Sequence, residues 1–122
     1  MDARLVDSRI ADILIRINWL NHIRFSCDTD TQIESVIKTG TMLEERGVNK
    51  ASIIIYMLIT SDIENAEYRV QQLKRYNIYA QPEYNALKGI IPNRMQKQFA
   101  RYCWSKSYKK HTFESFKVRL GL

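Results

Sequence analysis

The sequence is poor in the residues that punctuate or staple a chain. Four glycines and two prolines in 122 residues exclude collagen-like and low-complexity architecture. With 45% apolar and 26% charged residues, the composition is that of an ordinary globular domain and not of a disordered chain. Two cysteines, Cys27 and Cys103, are too few for a disulfide scaffold. Both fall within expected elements, so a reducing, cytoplasmic setting is expected. Long apolar runs are also missing. The longest, Ile53 to Ile59, falls far short of the roughly 20 residues that a membrane helix needs, and Met1 leads straight into charged residues. The expectation is an untargeted single domain, residues 1–122, without a membrane partner; at this length it buries roughly 65% of its unfolded surface and needs no metal to fold. No P-loop, GxGxxG or HExxH occurs, so nucleotide hydrolysis, dinucleotide binding and zincin proteolysis have no signal.

Acidic residues are nearly absent from one region. Between Arg94 and Arg119 there are eight basic residues and a single acid, Glu114, a net charge of +7, while the rest of the chain sums to −1. The high isoelectric point therefore belongs to a C-terminal tail, about residues 91–122, and not to a body of residues 1–90.

What the body does contain is an apolar period that switches regularly. Val6, Ile10, Ile13, Leu14, Ile17 and Leu20 recur at helical spacing behind Asp7 and Ser8, which offer caps. His22 to Cys27 alternates as a strand, with Ile23, Phe25 and Cys27 on one side. A second helix, about Thr31 to Arg46, carries Ile33, Val36, Ile37, Gly40 and Leu43 on one stripe and stops at Gly47. Ala51 to Ile59 has the unbroken apolar character of a parallel strand covered on both faces. A third helix with Ile63, Ala66, Val70 and Leu73 follows the capping oxygens of Thr60, Ser61 and Asp62, and a short strand, Asn77 to Gln81, ends at Pro82. Helices from about Asn93 and from Thr112 make up the tail. The fold class predicted is α/β, a partial (β/α) barrel fragment with about three parallel strands and a helical, basic tail.

In such folds sites form at the carboxyl ends of strands. Those positions are Ser26, Cys27, Asp28 and Asp30; Thr60, Ser61 and Asp62; and Gln81, Pro82, Glu83, Tyr84 and Asn85. Capping of the next helix accounts for residues such as Asp30, Thr31, Thr60 and Ser61. It accounts less well for the third group, because no helix with an apolar stripe follows it at once.

Several stretches carry a resemblance. Asp2-Ala-Arg-Leu, Ile23-Arg-Phe-Ser-Cys-Asp, Tyr56-Met-Leu-Ile-Thr, Glu67-Tyr-Arg-Val-Gln-Gln-Leu, Tyr79-Ala-Gln-Pro and Phe99-Ala-Arg-Tyr-Cys-Trp resemble the C-terminal half of a radical S-adenosylmethionine (SAM) domain. The resemblance spans nearly the whole chain. It implies a partial (β/α)6 barrel whose fourth, fifth and sixth strands are the three read above. It implies S-adenosylmethionine and a four-iron four-sulfur cluster as cofactors of a full-length relative, but the CxxxCxxC loop that holds the cluster does not occur here, so no catalytic residue and no metal site are assigned. By position, the resemblance assigns cofactor contacts to Ser26 and Asp28, to Ile59 and Thr60, and to Ala80 and Gln81. Half a barrel leaves open sheet edges, so a homo-oligomer, or a partner that supplies the missing half barrel, is expected under either function considered below.

Other chemistries are weaker. His22, Cys27, Cys103 and His111 match no zinc spacing, and strand alternation sends Cys27 and His22 to opposite faces, against a Cys-His-Asp set with Asp28. The tail interleaves cations with aromatics: Arg94, Lys97, Arg101, Trp104, Lys106, Lys109 and Lys110 form a candidate nucleic-acid surface. The competing account is docking, since Met95, Phe99, Tyr102 and Cys103 lie at helical spacing and Phe113 and Phe116 are three apart. Two functions stand side by side: a truncated or split radical SAM-like protein, not catalytic on its own, and a non-catalytic module that binds nucleic acid or an acidic partner.

Overall fold

The computed structural model describes residues 2–16 and 22–122. Along the chain lie α1 (Ser8–Arg16), β1 (Ile23–Ser26), α2 (Ile33–Glu45), β2 (Ile53–Ile59), α3 (Ile63–Leu73), β3 (Asn77–Pro82), α4 (Arg94–Trp104) and α5 (Phe113–Leu120). The three strands form one open, parallel sheet in the order β1-β2-β3. The fold is the α/β class that the switching apolar period predicts.

Caps set the helix starts. Asp7 Oδ1 accepts from the Ile10 amide at 2.9 Å, Asp62 Oδ1 from that of Asn65 at 3.1 Å, and Thr112 Oγ1 from that of Ser115 at 3.1 Å. At the start of α4, Asn93 and Gln96 exchange side-chain and backbone hydrogen bonds, each at 2.8 Å. The turn before α2 departs from expectation: Gln32 Oε1, not Asp30 or Thr31, collects amides, those of Asp28 and Thr29. Gly47 ends that helix region at φ +91°, as its sequence position predicts. On α1, Ala11 is fully buried but Ile13 is 45% exposed, because two residues carry it about 200° round the axis from Ala11. Ile17 and Leu20 lie outside the described residues.

One expectation needs correction. β2 is covered on one face only: Ile53, Ile55, Met57 and Ile59 are buried, whereas Tyr56 and Leu58 are each 37% exposed. The crossovers β1-α2-β2 and β2-α3-β3 step in one direction along the sheet. Connections of one hand then put both helices on the same side. Phe25, Val36, Leu43, Val70, Leu73 and Phe99 complete the core on that side. Gly40 is where α2 comes nearest to Tyr76; a Cβ there would stand 2.0 Å from the Tyr76 hydroxyl.

The tail is docked onto the body. Tyr102 packs against Phe99, Phe113 and Phe116 with ring centroids 5.4 to 5.5 Å apart. The outer edge of β3, expected to be open, is closed by this segment. Tyr108 Oη accepts from the Ile78 amide at 2.9 Å, and Trp104 Nε1 donates to the Ala80 carbonyl at 2.6 Å. Side chains thus take the place of a fourth strand. No helix among the described residues is long and apolar enough to cross a membrane.

Candidate functional site

The carboxyl edge of the sheet is built by side chains that tie one strand end to the next. Beyond β1 the chain stays paired, with the Cys27 amide donating to the Tyr56 carbonyl at 2.8 Å. Asp28 then reaches across, and its Oδ1 accepts from the Leu58 amide at 2.9 Å. Beneath them lies Arg69 of α3, 1% exposed. Its guanidinium donates to the Cys27 carbonyl at 2.7 Å, to the Leu58 carbonyl at 3.3 Å and to Asn65 Oδ1 at 2.9 Å. A buried cation held by two carbonyls and an amide joins β1, β2 and α3 at one point. Burial lowers its affinity for the proton, while the fields of Asp28, Asp62 and Asp30 act the other way. On the β3 side, the Ile59 carbonyl accepts from Gln96 Nε2 and from the Glu83 amide, each at 2.9 Å.

Ser26, Asp28, Thr60 and Gln81 all stand at this edge. Ser26 is level with Tyr56, and Gln81 is level with Leu58. The side chains of Ser26 and Gln81 share the helix-free face, since their neighbours Phe25, Cys27 and Ala80 are the buried members of each strand. Thr60 Oγ1 accepts from the Asp62 amide at 3.3 Å, which leaves its hydroxyl proton to donate. Ile59 and Ala80, the other two positions assigned by resemblance, are fully buried and offer only backbone. The loop after β3 closes on itself, with Asn85 and Ile90 exchanging two backbone hydrogen bonds of 2.8 Å.

The thiols are inert by location. Burial pushes the Cys27 thiol up to about 11 and that of Cys103 up to about 12. Cys27 Sγ contacts the Thr29 carbonyl at 3.4 Å, while His22 is exposed, so the two do not form a nucleophile and base pair. Among the described residues no three His, Cys, Asp or Glu side chains gather as a metal site.

The tail cations part company. Arg94, Lys97, Arg101, Lys106, Lys109 and Lys110 are all exposed. Lys109 is engaged, because its Nζ donates to the Lys74 and Tyr76 carbonyls, each at 2.6 Å, and lies 5.3 Å from the Tyr108 ring centre. Burial and the charges of Lys106 and Lys50 lower its affinity for the proton. Lys109 therefore belongs to docking. Trp104 serves both descriptions: bonded to β3 at its nitrogen, it is 59% exposed elsewhere.

Arg69 and Gln96 are the organising residues that reading the sequence misses. Arg69 sits three residues past Ala66 and four before Leu73, within the buried stripe of α3. Gln96 stands at the third helical position after Asn93, the capping-box place. Both signals were present in the spacing.

Fold and edge together define an α/β protein with an open parallel sheet, one face under helices and the other, among the described residues, without a helix over it. Comparison with family models, with curated proteins and with solved structures gives no match for this chain.

Proposed function

We propose that the chain forms one wall of a radical SAM-like α/β barrel, not catalytic on its own, and that its carboxyl edge receives the adenosine end of S-adenosylmethionine. One observation carries the reading: Ser26, Asp28, Thr60 and Gln81 lie at the carboxyl ends of three parallel strands in sequential order, beside a sheet face that no helix among the described residues covers. That is where ligands enter in α/β barrels. The partner implied is a set of strands that closes the barrel over the bare face.

The residues fit the two cofactors unequally. A cluster held by a three-cysteine loop does not fit, because the chain has only Cys27, just past β1, and Cys103, within α4, and both are buried. No step is derived through it. The cofactor's sugar and base fit better. The Ser26 hydroxyl and Gln81 amide are exposed, the Thr60 hydroxyl keeps its proton to donate, and Asp28 keeps one carboxylate oxygen beyond its bond to Leu58. Bound S-adenosylmethionine supplies an activated sulfonium; this chain's share is to bind and orient the adenosine end. Without anchors for the methionine end, affinity is expected to be weak, with a dissociation constant of about 1 mM, or about −4 kcal/mol.

Amide chemical-shift titration with S-adenosylmethionine tests this. Shifts are expected at Ser26, Thr60 and Gln81, reduced by Gln81→Ala. No shift at that edge at several times the expected dissociation constant, or shifts indifferent to both Ser26→Ala and Gln81→Ala, would overturn the reading.

A further inference from the structure

At the opposite end of the strands, between β3 and the end of α4, lies a cleft of about 460 Å³. Ile54, Asn77, Tyr79, Trp104 and Lys106 line it. Its aromatic wall is fixed before any ligand arrives. Trp104 is anchored at its indole nitrogen to the Ala80 carbonyl, yet 59% of it is exposed, so the bond positions the ring while leaving most of its surface open. Tyr79 is 53% exposed and packs 5.3 Å from Tyr56, which continues the aromatic surface across the sheet. A preorganised ring offers stacking at little entropic cost.

The rim of the cleft is cationic. Lys106 is the one non-glycine residue among those described with positive φ, at +59°, in a position after a helix that ordinarily favours glycine or asparagine. A lysine kept in a strained backbone conformation, with its side chain on the rim of an aromatic cleft, calls for an explanation other than the turn itself. Lys50 and Lys106 are both near enough to Lys109 for their charges to act on it, so positive charge converges at this end of the sheet. Planar rings beside an ammonium, in a cleft of the usual size for small ligands, fit a planar base that carries a phosphate.

We propose that this cleft binds a nucleotide unit, its base stacked on the Trp104 indole and its phosphate at Lys106. The shared chemistry has two sources, a free nucleotide or one unit of a single strand. The proposal does not depend on the carboxyl edge.

The test is calorimetry at low salt with adenosine monophosphate, adenosine and a short single-stranded oligonucleotide. Adenosine monophosphate is expected to bind more tightly than adenosine. Trp104→Ala should weaken binding about tenfold, as loss of a stacking partner does. Lys106→Gly removes the ammonium while relieving the positive φ, so it should keep or raise thermal stability and still weaken binding several-fold. With the oligonucleotide it should also lower the salt slope by about 0.7. That variant keeps the test decisive if Trp104→Ala folds poorly. An oligonucleotide bound at least tenfold more tightly than the mononucleotide assigns the cleft to a strand that also covers Tyr56; equal affinity assigns it to the free nucleotide. Failure of both to bind, or binding unchanged in Lys106→Gly and in a folded Trp104→Ala, overturns the proposal. Amide shifts at Asn77, Tyr79 and Lys106 report this cleft and those at Ser26, Thr60 and Gln81 report the carboxyl edge, so the two readings fail independently.

Discussion

Replacing Arg69 with methionine tests how the carboxyl edge is held. The change keeps length and apolar bulk but removes every donor. The Cys27 carbonyl loses a bond of 2.7 Å, the Leu58 carbonyl one of 3.3 Å, and Asn65 Oδ1 one of 2.9 Å. A buried carbonyl left without a donor costs about 1 to 3 kcal/mol, so the two carbonyls together cost about 2 to 6. Against this, methionine relieves the desolvation of a buried cation, an effect that can offset several kcal/mol when no carboxylate pairs with it directly. The net expected loss is about 1 to 3 kcal/mol, a fall in melting temperature of about 4 to 12 °C. Arg69→Lys retains the charge but not the fork, and should fall between parent and Arg69→Met. Urea denaturation measures the global term. Hydrogen exchange supplies the local one, because the Leu58 amide is bonded to Asp28, whose loop Arg69 holds through Cys27. Faster exchange is expected at Cys27 and Leu58 before the helices open. If Arg69→Met proves as stable as the parent, with exchange at those amides unchanged, the cation is merely tolerated and the account of the edge is wrong.

Other outcomes follow from the same geometry. Gly40→Ala should cost about 1 to 3 kcal/mol by overpacking, because its Cβ would stand 2.0 Å from the Tyr76 hydroxyl and 2.5 Å from its ring carbon; Tyr76→Phe in the same chain should recover only part, as the ring remains, and a thermal-melt double-mutant cycle reads the coupling. The thiols of Cys27 and Cys103 titrate above their ordinary value near 9, so the unfolded chain loses those protons first; stability present below pH 9 should decline as pH rises toward 11, by at most about 1.4 kcal/mol per pH unit for each thiol. Denaturation at pH 8 and 10 checks this, and Cys27→Ala should make the decline shallower. Anaerobic incubation with iron and sulfide should leave the protein colourless, since only two thiols are present, both buried; a stoichiometric cluster in the absorption spectrum would contradict that reading.

Much of the fold is legible because local rules and tertiary packing agree. Asp7, Asp62, Asn93 and Thr112 cap where a polar residue precedes an apolar stripe, and Gly47 terminates where a left-handed residue is needed. The exposed face of β2 is less legible, because Ile54, Tyr56 and Leu58 are as apolar as the buried Ile53, Ile55 and Met57. Composition reports what a strand tolerates, and only crossover handedness says which side the helices take. For the candidate site, the four polar strand ends are readable, but their ties are not. The Asp28 to Leu58 bond spans 30 positions and the Arg69 to Cys27 bond spans 42, separations at which no periodicity operates. The division of the tail cations fails for the same reason. Lys109 and Lys110 are neighbours in sequence and both lie at the surface, yet the ammonium of the first is fixed by the carbonyls of residues 74 and 76.

The closure of the β3 edge has a consequence in time. The groups that occupy that edge, Trp104 and Tyr108, are made after the strand they protect. While the chain emerges from the ribosome, β2 and β3 can pair, but the outward amide of Ile78 and carbonyl of Ala80 stay available to any other strand until the two aromatics arrive. Nascent chains stalled short of residue 104 therefore present an adhesive edge that the finished chain lacks. Slow synthesis across this interval, or loss of the tail to a protease, should divert the protein toward aggregates, and loss of the tail also takes away Gln96 and its bond to the Ile59 carbonyl.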